Sequence, residues 1–128
     1  MIFLFINCSV FPFIAWILSG RKLYETRNRN TLKSLIGKTV YLTETGKHKR
    51  PIVCGSCTIT ECIIVKDRRT YNRYRKQAMI KPGSCYDFIV GNTKQKVLYR
   101  LDNVQRCKPF PMPDNVVRHG RIYATDYT

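Results

Sequence analysis

Hydrophobic and polar positions alternate along most of this chain with the short period of β-strands, and only two stretches carry a helical period. Ile2 to Ile6 is a compact run of aromatic and β-branched residues and predicts a buried strand within residues 1–8. Ser9 and Pro12 suit a helix start, and Phe13, Ile14, Trp16, Ile17 and Leu18 predict a buried helix within residues 10–20, with Gly20 as its stop. The alternating segment from Lys22 to Arg27 predicts a strand. Thr31 is placed to cap a short turn through Leu32, Leu35 and Ile36. Thr39 to Thr45 predicts a strand with Val40 and Leu42 on one face, and Ile52 to Lys66 a long one, with Gly55 marking a bulge. Asp67 is placed to cap a helix from Arg68 to Met79, ended by Pro82-Gly83. Cys85 to Val90 reads as a short strand or extended loop, Val97 to Val104 as a strand, Lys108 to Pro113 as a proline-rich connection, and Arg121 to Thr125 as the closing strand.

These elements amount to about six strands and two main helices. Most strand spacings are too short for crossover helices, so the fold class expected is α+β: a small mixed or antiparallel β-barrel in a single domain spanning residues 1–128. A length of 128 residues is close to the commonest domain size and can enclose a core without staples.

The apolar stretch from Ile2 to Leu18 also has to be weighed as a membrane segment or signal peptide. It is at the short limit of a bilayer span, Asn7, Cys8, Ser9 and Pro12 interrupt it, and no basic residue precedes it. Strand plus helix is the reading expected. The six cysteines, with no secretory signal recognised, read as reduced thiols of a cytoplasmic protein. Cys54-x-x-Cys57 with Cys62 resembles half of a zinc site, but no second pair accompanies it, so neither metal nor cofactor is expected.

Charge changes the picture most. Lys and Arg total 23 against 8 acids, a net charge of +15, far beyond what solubility requires. Such a field attracts polyanions: RNA, DNA, a nucleotide or an acidic membrane. Within it, Lys49 and Arg50 belong to a basic loop. Arg69, Arg73 and Lys76 would form one stripe on the second helix beside Tyr71 and Tyr74, and His119 sits in Arg118-His119-Gly120-Arg121.

The stretch from Pro12 to Arg27 ends in Gly20-x-Lys22-x-x-Glu25-x-Arg27. It resembles the opening of ASCH domains, in the PUA-like superfamily, which begin with a strand, a short helix and this spacing of Gly, Lys, Glu and Arg. All four positions match. Ile36 to Leu42 and Cys54 to Ile59 resemble the strands that follow, so the likeness is clearest over residues 10–65. It implies a PUA-like barrel and an RNA- or nucleotide-binding module whose basic cleft recognises a base or modified nucleotide. By the residues themselves, Gly20 allows a left-handed helix exit, Lys22 is a point charge free to enter a cleft, and Glu25 and Arg27 share one strand face as acceptor and donor. A salt bridge at the barrel rim uses the same residues equally well. Some relatives resemble amidohydrolases acting on modified cytidine through a lysine, a threonine and a later glutamate. This chain keeps Lys22 but has Glu25 where the threonine would stand, with Thr26 facing the other way. A small amidohydrolase or nuclease is therefore the alternative, with Lys22 as its catalytic residue, and a membrane-anchored basic protein is the third.

Overall fold

The computed structural model describes residues 1–126. Seven strands form one mixed sheet: β1 (Ile2–Asn7), β2 (Tyr24–Arg27), β3 (Thr39–Thr45), β4 (Ile52–Val65), β5 (Lys96–Pro111), β6 (Val116–His119) and β7 (Tyr123–Asp126). Their order is β2-β5-β4-β3-β1-β7-β6. β1 and β3 run parallel, and every other pair is antiparallel. Three short helices, α1 (Phe13–Leu18), α2 (Arg68–Asn72) and α3 (Arg75–Ala78), and a 3₁₀ turn at Lys33–Leu35 complete the described elements.

The expected α+β class holds, with seven strands instead of about six and an open sheet instead of a closed barrel. The sheet nevertheless curls strongly. Strands β5, β4 and β3 lie between β2 and β1, so in a flat sheet these two would stand about 19 Å apart. Arg27 on β2 yet donates to the Phe5 carbonyl on β1 at 2.8 Å. That bond spans the concave side, between two strands that are not neighbours in the sheet; the six strand pairings leave it open.

The apolar N-terminus is explained by two-sided burial. On β1, Leu4 and Ile6 enter the main core beneath α1, while Phe3 and Phe5 enter a second cluster with Val53, Met112 and Ala124. A strand buried on both faces is apolar throughout. α1 contributes Phe13, Ile14 and Ile17 to the main core. No helix among the described residues is long and apolar enough to cross a membrane.

Several local expectations change. Ser9 does not cap α1; its N–H and hydroxyl both donate to Asn7 Oδ1, at 2.9 and 2.6 Å, and Pro12 holds the cap position. Leu32, not Thr31, precedes the 3₁₀ turn. The single helix expected from Arg68 to Met79 is two. Asp67 caps α2 through the Thr70 N–H at 2.8 Å, but the chain then tightens, with Arg73 and Tyr74 bonding back three residues to Thr70 and Tyr71. Thr70, Tyr71, Asn72 and Tyr74 are weak helix formers, and Asn72 turns its side chain to Arg75. Cys85 to Val90 is loop, and β6 is an additional strand.

The proline-rich segment belongs to β5. Phe110 and Pro111 pair with Val53 and Ile52 of β4, whereas β2 pairs only with residues 97–100. This end of β5 has a partner on one side, so a proline facing away forfeits no ladder bond. Three register shifts between β4 and β5 bend the pair. One lies at Gly55, as expected, and another leaves Asn103 with a left-handed φ of 53°.

Candidate functional site

The opening between β1, β2, the loop after β3 and the β6–β7 turn is a cleft of about 480 Å³. Strand alternation places its floor. Tyr24 goes to the core cluster under α2 and α3, and the Thr26 hydroxyl engages Tyr71 on that same side, as expected of a side chain facing away from Glu25. Glu25 and Arg27 face the cleft. Glu25 is only 5% exposed. Its Oε1 accepts the Thr26 N–H at 3.0 Å, and its Oε2 accepts from Arg27 Nη2 at 3.3 Å. Arg27 Nε is buried and without a partner among the described residues. The floor thus presents a carboxylate and a guanidinium side by side. They form the expected ion pair as well, so the pairing and the cleft are one arrangement.

Lys22 lies elsewhere than expected. Instead of pointing into the cleft from a mobile junction, it is 1% exposed. Its Nζ donates to the Ala78 carbonyl and sits 4.6 Å from the centre of the Phe13 ring. Burial pulls its pKa down to about 8, Arg27 adds to the fall, and Glu25 opposes it. Lys22 is an internal strut joining the α1 exit to the end of α3, and its reach to the cleft is indirect, through the Phe13 ring. Gly20 makes the exit possible with a φ of 80°, and Arg21 and Lys22 N–H groups then bond the Trp16 carbonyl.

The walls and rim include residues that spacing alone did not single out. Phe13 and Tyr86 form an aromatic wall, their rings edge to face at 4.9 Å. Burial raises the Tyr86 pKa. Lys49, Arg118 and Arg121 stand at the margins, and Glu25 is the single acid among the described lining residues. In Arg118-His119-Gly120-Arg121 the arginines line the cleft and His119 does not. Its ring stacks on Tyr123 at 4.3 Å, and its Nε2 lies 3.4 Å from Thr125 Oγ1. Arg50 turns from the cleft to the Met112 carbonyl, at 3.1 Å, and to Asp114. Arg69 and Arg73 are exposed on α2 and its cap, outside the cleft, and the helix break removes the stripe they were to share with Lys76. The signal for Tyr86, Arg118 and Arg121 was only their residue type; the chain gathers them from segments more than thirty positions apart. Among the described residues, no three His, Cys, Asp or Glu side chains gather to hold a metal, and the six cysteines are free thiols.

No family model and no curated protein matches this chain. Solved structures do. The crystal structure of ASCH from Zymomonas mobilis superposes with a TM-score of 0.67 at 22% identity, covering 83% of this chain and 71% of that one. A tyrosine-to-phenylalanine mutant of the same protein gives a TM-score of 0.65 at 21% identity over 83% and 73%. A serine-to-alanine mutant gives 0.66 at 21% over 83% and 71%. The chain therefore has the fold of an ASCH domain.

Proposed function

We propose that this ASCH-fold chain is a binding module for RNA or a nucleotide, and that the cleft floored by Glu25 and Arg27 receives the base or modified base. The observation that carries the reading is the composition of one concavity: a paired acceptor and donor on the floor, an aromatic wall, and cations at the margin. A carboxylate and a guanidinium can read the edge of a base. Phe13 and Tyr86 offer it apolar and edge contacts. Lys49, Arg118 and Arg121 supply charge for phosphate. A cleft of about 480 Å³ suits a small ligand. Binding fits this geometry better than hydrolysis, because the lysine that a reaction would use is committed to the Ala78 carbonyl and lies outside the cleft.

The test is fluorescence anisotropy of a labelled single-stranded RNA octamer, with unlabelled UMP and CMP as competitors. Lys49→Ala combined with Arg118→Ala is expected to weaken both octamer and mononucleotide by about tenfold or more, without altering the circular dichroism spectrum. Glu25→Gln is expected to change the ranking of the two mononucleotides. Unaltered affinities in the double variant would refute the placement of the site.

A further inference from the structure

A second cleft, of about 580 Å³, lies behind the aromatic wall of the first. Phe11 and Trp16 bound it on one side, and Lys76, Met79 and Lys81, around the end of α3, on the other. No acid is among its described lining residues. Arg75 at its edge is engaged by Asn72 and Asp87. Lys76 and Lys81 are exposed, and no ion pair among the described residues uses either.

The two clefts share their aromatic residues in a continuous cluster. Phe13 and Tyr86 line the first, Phe11 and Trp16 the second. Ring centres are 4.9 Å apart for Phe13–Tyr86, 5.9 Å for Phe11–Tyr86, 5.8 Å for Phe13–Trp16 and 6.0 Å for Phe11–Trp16. An unbroken row of rings runs from the aromatic wall of the first cation-edged cleft to the side of the next. Phe13 is buried at the centre of the cluster, while Phe11, Trp16 and Tyr86 are partly exposed; partly exposed rings flanked by unpaired lysines suit successive unpaired bases and their phosphates. Paired bases have no free face to offer, so a duplex does not use such a row.

We propose that the two clefts form one track for a single-stranded polynucleotide. One nucleotide occupies the first cleft, the next bases cross the Tyr86–Phe11 ridge onto Trp16, and Lys76 and Lys81 take the phosphates there. The inference rests on the first cleft being the nucleotide site and extends it: the ligand class is an oligonucleotide of several residues, not a free mononucleotide.

Trp16 is the single tryptophan of the chain, so intrinsic fluorescence reports the second cleft directly. The intact protein is titrated with UMP and with a single-stranded octauridylate. The octamer is expected to quench Trp16 and to bind at least about tenfold more tightly than UMP, which leaves Trp16 emission unchanged. Lys76→Ala with Lys81→Ala is expected to cost the octamer about tenfold and to flatten its log–log salt slope by about 1.4, at about 0.7 per phosphate contact for a single strand, while UMP affinity holds. Octamer binding that leaves Trp16 unquenched and ignores the lysine pair overturns the track, even when Lys49→Ala with Arg118→Ala abolishes binding and so upholds the first cleft. Insensitivity to Lys49→Ala with Arg118→Ala, by contrast, removes the first cleft itself. Quenching by octaglutamate equal to that by the octamer overturns the proposal in favour of an acidic peptide.

Discussion

Lys22 shows how a residue legible in the sequence can serve an unexpected end. In the folded chain burial holds its pKa at about 8, against 10.5 for a free lysine. Between those values the unfolded chain binds a proton that the folded chain lacks, so stability rises with pH there. Lys96, lowered by burial, acts in the same direction. Cys54 and Cys57 act against it. Burial raises them from 9.0 to about 11 and about 12, so above pH 9 the folded state keeps protons that the unfolded state releases, and stability falls. Urea unfolding as a function of pH is expected to show stability climbing from pH 8 to a maximum near 9 and declining beyond it. Lys22→Met is expected to reduce the climb and leave the decline; a natural chain that is flat from pH 8 to 9 would contradict the burial of a charged Lys22. Gly55 offers a second test at this scale. A Cβ there would meet the Gln105 carbonyl oxygen of β5 and come within 2.8 Å of Leu18 Cδ2. Gly55→Ala is expected to lower stability by about 1–3 kcal/mol in thermal unfolding, since backbone and a packed leucine cannot both withdraw.

Between elements, the joint that matters most to the cleft is made by Arg75. Its guanidinium pairs with Asp87, bonds Asn72 Oδ1 at 2.7 Å, and lies 5.4 Å from the centre of the Tyr71 ring. Asp87, 3% exposed, also accepts the N–H groups of Gly83, at 2.8 Å, and Phe88, at 2.7 Å. This hub ties α3 to the loop that carries Tyr86. Removing one partner of a buried pair leaves the other uncompensated, so Arg75→Ala is expected to cost about 3 kcal/mol in urea unfolding. It is also expected to weaken mononucleotide binding, because the Tyr86 wall loses its anchor. Stability and affinity both unchanged would show that the loop is held by other means.

Over the whole molecule, a net charge of +15 sets the range and speed with which a polyanion is attracted, and under the proposed function the clefts set the direction. Five cations outside any ion pair among the described residues flank the two clefts: Lys49, Arg118 and Arg121 at the first, Lys76 and Lys81 at the second. If each meets one phosphate, the log–log salt slope for a single-stranded octamer is about −3.5, so affinity falls about 100-fold between roughly 50 and 200 mM salt. Anisotropy titrations across that range measure it directly. A slope near zero would mean that the charge serves some purpose other than holding a polyanion. The curled sheet matters here because it brings β2 within one arginine of β1 and places both beside the β6–β7 turn.

What depends on neighbouring residues was readable from the chain. The first three strands, the Gly20 exit, the Asp67 cap and the Gly55 bulge follow from side-chain period, left-handed glycine and a carboxylate three positions before a free N–H. Glu25 and Arg27 were legible as a pair for the same reason: two residues apart on a strand share a face. What depends on distant partners was not readable. β5 runs through its prolines because β4 pairs with it on one side only. β6 exists because β7 lies beside it, with little internal pattern of its own. Lys22 looked like a surface cation because its charge is visible in the sequence, whereas the Ala78 carbonyl that receives it is 56 positions away. Tyr86, Arg118 and Arg121 became cleft residues only when sheet curvature and the Arg75 hub gathered them. Local sequence determined which elements could form and which residues shared a face. The tertiary structure decided which faces meet, because curvature and long-range pairing are properties of the assembled sheet and not of any one segment.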